Sequence, residues 1–181
     1  MIVDLGTGDG RAVLARASAE PSAFVIGIDA NAAGLAESSR RAVRGRFGGG
    51  ATDAIFLAEA AEAMPGFLAE TASIVTITMP WGSLLRGVLG LDPIALRGVA
   101  SLVAPGGRVE VLASVVPADH VDGIEALDRS TEDAIASAWR PFGFELESMR
   151  PATADDLRAT RSSWARRLGD RPVWRLELRR P

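Results

Sequence analysis

Asp4-Leu5-Gly6-Thr7-Gly8-Asp9-Gly10 follows the apolar pair Ile2-Val3 and runs into Arg11-Ala12-Val13-Leu14, so the chain opens with a strand, a glycine-rich turn and a helix. Small residues in such a turn let the backbone come close to a ligand. The spacing is G-x-G-x-G, whereas the dinucleotide fingerprint is G-x-G-x-x-G with its third glycine inside the helix. Asp4 stands just ahead of the turn, where a negative charge repels a pyrophosphate and suits the ammonium end of a methionine-type cofactor. Asp29 closes the second predicted strand 19 residues after Gly10, placed so that its carboxylate accepts both ribose hydroxyls. A tight turn that binds nothing is the plain alternative. Three features in register with strand ends favour a nucleoside-containing cofactor over it, and disfavour NAD. Ala61-Glu62 lies just beyond the third strand, where this kind of fold holds adenine, although Glu62 also reads as a solvated helix residue.

Outward from this turn, apolar runs and helical patterns alternate, which is the signature of an α/β domain with a largely parallel sheet. Strands are expected at about 1–5, 24–29, 54–58, 73–79, 107–114, 144–149 and 173–178. Helical periodicity falls at about 10–19, 31–46, 83–90, 93–103 and 130–141, the last two stopping against Pro105 and Pro141. Seven strands with short connections predict one doubly wound, mostly parallel sheet with helices on both faces. A chain of 181 residues has room for one such core, so residues 1–181 are expected to be a single domain. Two stretches break the rhythm, the acidic 114–129 and the arginine-rich 151–172, and long connections in a compact domain are often functional.

Composition narrows the chemistry. No cysteine is present, which excludes a disulfide framework, a thiolate nucleophile and any zinc site built on sulfur. No apolar run is long enough to span a bilayer, and the N-terminus lacks a signal-peptide pattern, so a cytoplasmic protein without a membrane or a bound metal is expected. The net charge of −3 argues against nucleic acid, but its distribution does not: residues 150–181 carry nine arginines against four carboxylates. Local charge meets phosphate, and every cation here is an arginine, able to make planar bidentate contacts. The lone His120 sits in the acidic stretch, away from every motif, and reads as a surface residue.

The fourth strand delivers Met79-Pro80-Trp81-Gly82-Ser83-Leu84-Leu85-Arg86-Gly87-Val88-Leu89-Gly90 to the carboxyl edge of the sheet, where open α/β folds bind ligands. Base methyltransferases that modify exocyclic amines place Asn or Asp before Pro-Pro and an aromatic here. This chain keeps a proline and the aromatic Trp81 but no such acceptor, which points to a ring nitrogen as the nucleophile. A core or lid tryptophan is the plain alternative for Trp81. Together with the 4–10 turn and Ser163-Trp164-Ala165-Arg166-Arg167-Leu168, this motif resembles the 16S rRNA (adenine-1408)-N1 methyltransferases that confer kanamycin and apramycin resistance, and the similarity runs in order from Met1 to about Trp174.

The resemblance implies a class I, Rossmann-like methyltransferase that uses S-adenosylmethionine and acts on the 30S subunit, with a monomer expected. It implies that Asp4, Gly6, Thr7, Gly8 and Asp29 hold the cofactor, with Ala61 and Glu62 near its adenine and Ser83 beside its reactive end. Trp81 and Trp164 would sandwich a flipped adenine in a pocket also lined by Ser162. Arg161, Arg166, Arg167 and Arg171 would meet rRNA phosphates, although the spacing after the tryptophan motif is one residue shorter at Arg171. Family members are expected to carry a further N-terminal β-hairpin before the first strand, whereas this sequence starts inside that strand. A methyltransferase acting on a small natural product, or a non-catalytic cofactor- or RNA-binding relative, would share the cofactor half of the pattern.

Overall fold

The computed structural model describes residues 1–44, 53–160 and 170–181. Its strands are β1 (Ile2–Leu5), β2 (Val25–Ile28), β3 (Ala54–Leu57), β4 (Ala72–Thr78), β5 (Val103–Ala113), β6 (Glu145–Pro151) and β7 (Trp174–Arg179). Its α-helices among the described residues are α1 (Arg11–Ala19), α2 (Ala32–Ala42), α3 (Gly82–Val88), α4 (Pro93–Leu102), α5 (Glu132–Trp139) and α6 (Ala154–Ala159). The strands form one sheet in the order β3-β2-β1-β4-β5-β7-β6. Pairing is parallel from β3 through β5, and β7 runs antiparallel to both of its neighbours. The doubly wound, mostly parallel sheet expected from the sequence is therefore present.

The central strands are apolar almost throughout because both of their faces are covered, as parallel sheets require. Ile2 packs with Val13, Leu14 and Ala17 of α1, while Val3 and Leu5, on the opposite face, join the large core that α3, α4 and α5 close. Within that core the Trp139 ring is fully buried, donates Nε1–H to the Val88 carbonyl at 3.0 Å and meets Phe144 edge-on. The hydrogen bond satisfies the indole's one polar atom and ties α5 to the end of α3.

Three elements differ from expectation. β5 begins at Val103, directly after α4, and not at 107, because the Pro105-Gly106-Gly107 stretch is absorbed as an irregularity of the strand between its pairings with Ala72 and Ile74. Arg180 secures it by exchanging backbone hydrogen bonds with Gly106 and Gly107 at 2.9 Å. The second helix spans Ala32–Ala42, with Val43 as its C-cap, and so stops short of the expected 46. Inside the stretch 151–172, expected to be irregular, lies α6, started by a reciprocal cap between Thr153 and Asp156. No helix of the described residues is long and apolar enough to cross a membrane.

Candidate active site

Strand order reverses between β1 and β4, since β1 is followed in sequence by strands on one side and β4 by strands on the other. Ligands of open α/β sheets bind in the crevice outside the carboxyl ends of the strands at such a switch point. The cleft is there, with a volume of about 340 Å³. Its walls bring together Asp4, Gly6, Thr7, Gly8, Asp29, Ala61, Glu62, Trp81 and Ser83 from four separate stretches of chain. Each of these residues was singled out from the sequence. Arg11, Glu59, Leu84 and Thr160 line it as well, and no pattern in the sequence marks them as a group.

The turn is built by its glycines for different reasons. Gly6, Gly8 and Gly10 all have positive φ, at 74°, 62° and 70°. A Cβ at Gly6 would lie 2.7 Å from Leu84 Cδ2, and one at Gly10 would lie 2.5 Å from the Phe56 ring. A Cβ at Gly8 would meet nothing within 4 Å, because that residue borders open space in the cleft. The Gly8 amide donates to Asp29 Oδ2 at 2.7 Å and the Asn31 amide donates to Oδ1 at 2.8 Å. These bonds fix the carboxylate and leave each oxygen a further lone pair for a hydroxyl. Gly6 and Thr7 donate their amides to the Ile28 carbonyl at 2.8 and 3.1 Å, which pins the turn to the end of β2.

Asp4 lies where β1 meets the cleft. Thr76 on β4 donates its hydroxyl to Asp4 Oδ1 at 2.7 Å, and burial pushes the carboxyl pKa above its ordinary value against that bond. The Thr7 side chain also faces this carboxylate and, with Thr76, favours its charged form. A glycine facing open space and two anchored carboxylates fit a nucleoside-bearing ligand with an ammonium group. Asp4 also borders a second cavity of about 330 Å³ between α1 and α6, over Thr76, Thr78, Glu110 and Leu112.

At the opposite lip β4 is followed by Met79, a non-glycine residue with φ of 52°. Its amide donates to the Leu112 carbonyl at 2.7 Å, and its side chain packs with Leu112 and Val173. These contacts hold a left-handed conformation that is unusual for such a residue and turns the chain sharply at the edge of the site. Trp81 then caps α3 with extended backbone and an exposed side chain, at 52 % relative accessibility. An indole that could have been core is instead presented to the cleft.

The predicted basic strip divides. Arg171 is held by an ion pair with Asp119 and by Ser114 Oγ at 3.4 Å, so its guanidinium is committed to the 114–119 turn. Burial alone would raise the Asp119 carboxyl, but the Val116 amide and Arg171 together hold it below its usual range. Arg158 pairs with Asp155 on the exposed side of α6, and Arg150, Arg175, Arg179 and Arg180 are each within ion-pair distance of a carboxylate. In the last turn of α2, Arg40 pairs with Glu37 at 2.9 Å, which fits a solvated helix face. His120 is exposed. Arg161, Ser162, Trp164, Arg166 and Arg167 lie outside the described residues.

A sheet of this order with an antiparallel β7, and a cleft with an acidic residue before a G-x-G-x-G turn, define a class I, S-adenosylmethionine-dependent methyltransferase. The model of the NpmA family, 16S rRNA (adenine(1408)-N(1))-methyltransferases, matches residues 1–173. The chain belongs to that family. A 16S rRNA (adenine(1408)-N(1))-methyltransferase of Streptoalloteichus hindustanus is 30% identical over 173 residues, covering 93% of this chain and 80% of the relative. Among solved structures, a tryptophan-to-alanine mutant of the Catenulisporales acidiphilia enzyme with cosubstrate SAM superposes with a TM-score of 0.88 at 30% identity, over 99% of this chain and 84% of that one. The aminoglycoside resistance methyltransferase NpmB1 superposes with a TM-score of 0.81 at 38% identity, over 99% and 86%.

Proposed function

We propose that this chain methylates N1 of adenine 1408 in the 16S rRNA of the 30S subunit, thereby conferring aminoglycoside resistance, with Trp81 as one face of the target-base pocket. One observation carries the pocket: Trp81 stands exposed on the lip of the cleft that the glycine turn and Asp29 floor. S-adenosylmethionine supplies an activated methyl group when bound. Asp29 would take the ribose hydroxyls, Asp4 the ammonium end, the Gly6-Thr7-Gly8 backbone the middle, Ala61 and Glu62 the adenine, and Ser83 the reactive end.

Adenine N1 carries an in-plane lone pair and is unprotonated near neutral pH, so the protein's task is to orient the base. Stacking on an aromatic ring contributes about 1–3 kcal/mol per base, of the same order as the few kcal/mol spent in extruding it. Trp164 would supply the second face and Ser162 would line the pocket. Thr160 lines the same cleft as Trp81, and Trp164 follows it by four residues, at most about 14 Å of extended chain. Arg161, Arg166 and Arg167, on the same short segment, would meet phosphates and fix register without reading sequence.

Primer extension on 16S rRNA from cells expressing the chain tests the reaction, because an N1-methylated adenine cannot pair and stops reverse transcription. A stop at adenine 1408 is expected, lost in Trp81→Ala while S-adenosylhomocysteine binding persists. Uninterrupted extension in cells that accumulate the folded, cofactor-binding chain rejects the reaction. A full stop in Trp81→Ala rejects the role given to the indole.

A further inference from the structure

The adenine end of the cleft is backed by a helix that does not line it. α4 crosses behind the 61–63 turn, and Gly98 stands at the crossing. A Cβ built on Gly98 would lie 1.7 Å from the Ala61 carbonyl oxygen and 2.8 Å from its carbon, the tightest approach at any described glycine. The obstacle is backbone, so rotating a side chain cannot relieve it. A methyl group would need that carbonyl to retreat by more than an ångström before reaching the 3.0 Å that real contacts respect. α4 has little room to move instead, since Ala95, Leu96, Val99 and Leu102 are packed into the main core. The turn must therefore yield, and on its other side Ala61 and Glu62 face the cleft.

We infer that Gly98 is a positioning residue for cofactor binding: the missing side chain on α4 sets how far the 61–63 turn stands back, and so the depth of the adenine subsite. The inference rests on the reading of that turn as the adenine wall. Gly98 itself touches no ligand. Its replacement moves the wall inward without altering the groups that hold the ribose or the methionine end.

Calorimetry of the full chain with S-adenosylhomocysteine provides the test. Gly98→Ala should weaken binding tenfold or more, while the methylation rate on 30S subunits at saturating S-adenosylmethionine stays within threefold. Val99→Ala, a packing loss on the neighbouring core position of the same helix, should lower the melting temperature yet leave affinity within twofold. Affinity within twofold of the wild type in Gly98→Ala, with binding abolished in Asp29→Ala, overturns the inference alone. Undiminished binding in both Gly98→Ala and Asp29→Ala overturns the cofactor-site reading with it. If Gly98→Ala does not fold, Met64→Ala replaces it, because Met64 Cγ lies 3.5 Å from the same point and props the turn against α4. A shift in affinity of threefold or more at constant rate supports the inference, and a shift below twofold overturns it.

Discussion

At Asp4 the chain accepts a cost in stability to hold a carboxyl group at the cleft. Burial raises the carboxyl pKa, so between the unfolded and folded values the native state binds more protons, and stability falls as pH rises through that window. Asp4→Asn keeps an oxygen for the Thr76 hydroxyl and removes the buried charge. The variant should melt above the wild type near neutral pH, by about 2–4 °C for each kcal/mol gained, and the advantage should vanish as pH falls toward 3.8. Affinity for S-adenosylhomocysteine should fall at the same time. Thermal melts across this range, paired with calorimetry, check both halves, and a variant that melts lower at neutral pH refutes the electrostatic cost. Asp4 and Asp29 were legible from their position at strand ends. The separate tasks of Gly6, Gly8 and Gly10 were not, because what crowds them comes from Leu84 and Phe56, far along the chain.

Among the elements, α6 depends most on a single side chain. A six-residue helix has little stability of its own. Asp156 Oδ2 accepts from the Thr153 amide and the Arg150 guanidinium, each at 2.7 Å, and from the Thr153 hydroxyl at 2.8 Å, while Oδ1 accepts from Arg150 at 3.0 Å. The Arg150 hydrogen bonds hold this carboxyl well below the usual carboxylate range. The folded pKa is depressed, so the stabilisation is fully present above the unfolded value and is lost as pH falls toward the folded one. Asp156→Ala should cost about 2–4 kcal/mol near neutral pH by urea denaturation, and the gap to wild type should narrow in acid. A gap that widens in acid contradicts this assignment. The capping signal Thr153-Ala154-Asp155-Asp156 was present in the sequence, but nothing local reveals that Arg150 on β6 and Arg175 on β7 converge on it.

For the molecule as a whole, the arginine excess of residues 150–181 is matched by carboxylates wherever the arginines are described. Its six described arginines each lie within ion-pair distance of a carboxylate, four of them facing carboxylates of residues 154–177 or the neighbouring strands, and Arg171 and Arg180 facing Asp119 and Glu70. Under the proposed function, the tail's share of phosphate contact would fall to Arg161, Arg166 and Arg167. Replacing any one of them with Ala should flatten the salt dependence of 30S affinity by about one unit of log–log slope, whereas Arg175→Gln should leave the slope unchanged. Affinity measured over a salt series decides this, and an equal flattening in Arg175→Gln refutes the division.

The sequence by itself determined the α/β class, the glycine-rich turn after β1, the motif after β4 and the family, because glycine spacing, strand-length apolar runs and charges at strand ends are local consequences of backbone geometry and burial. Only the tertiary structure decided which tryptophan is core and which is offered to the cleft: Trp139 is fully buried and Trp81 half exposed, although each sits at the end of a helix. The same holds for the arginines, whose partners lie up to 110 residues away. Which partner a side chain meets depends on how strands far apart in sequence come to lie side by side, and no local pattern encodes that.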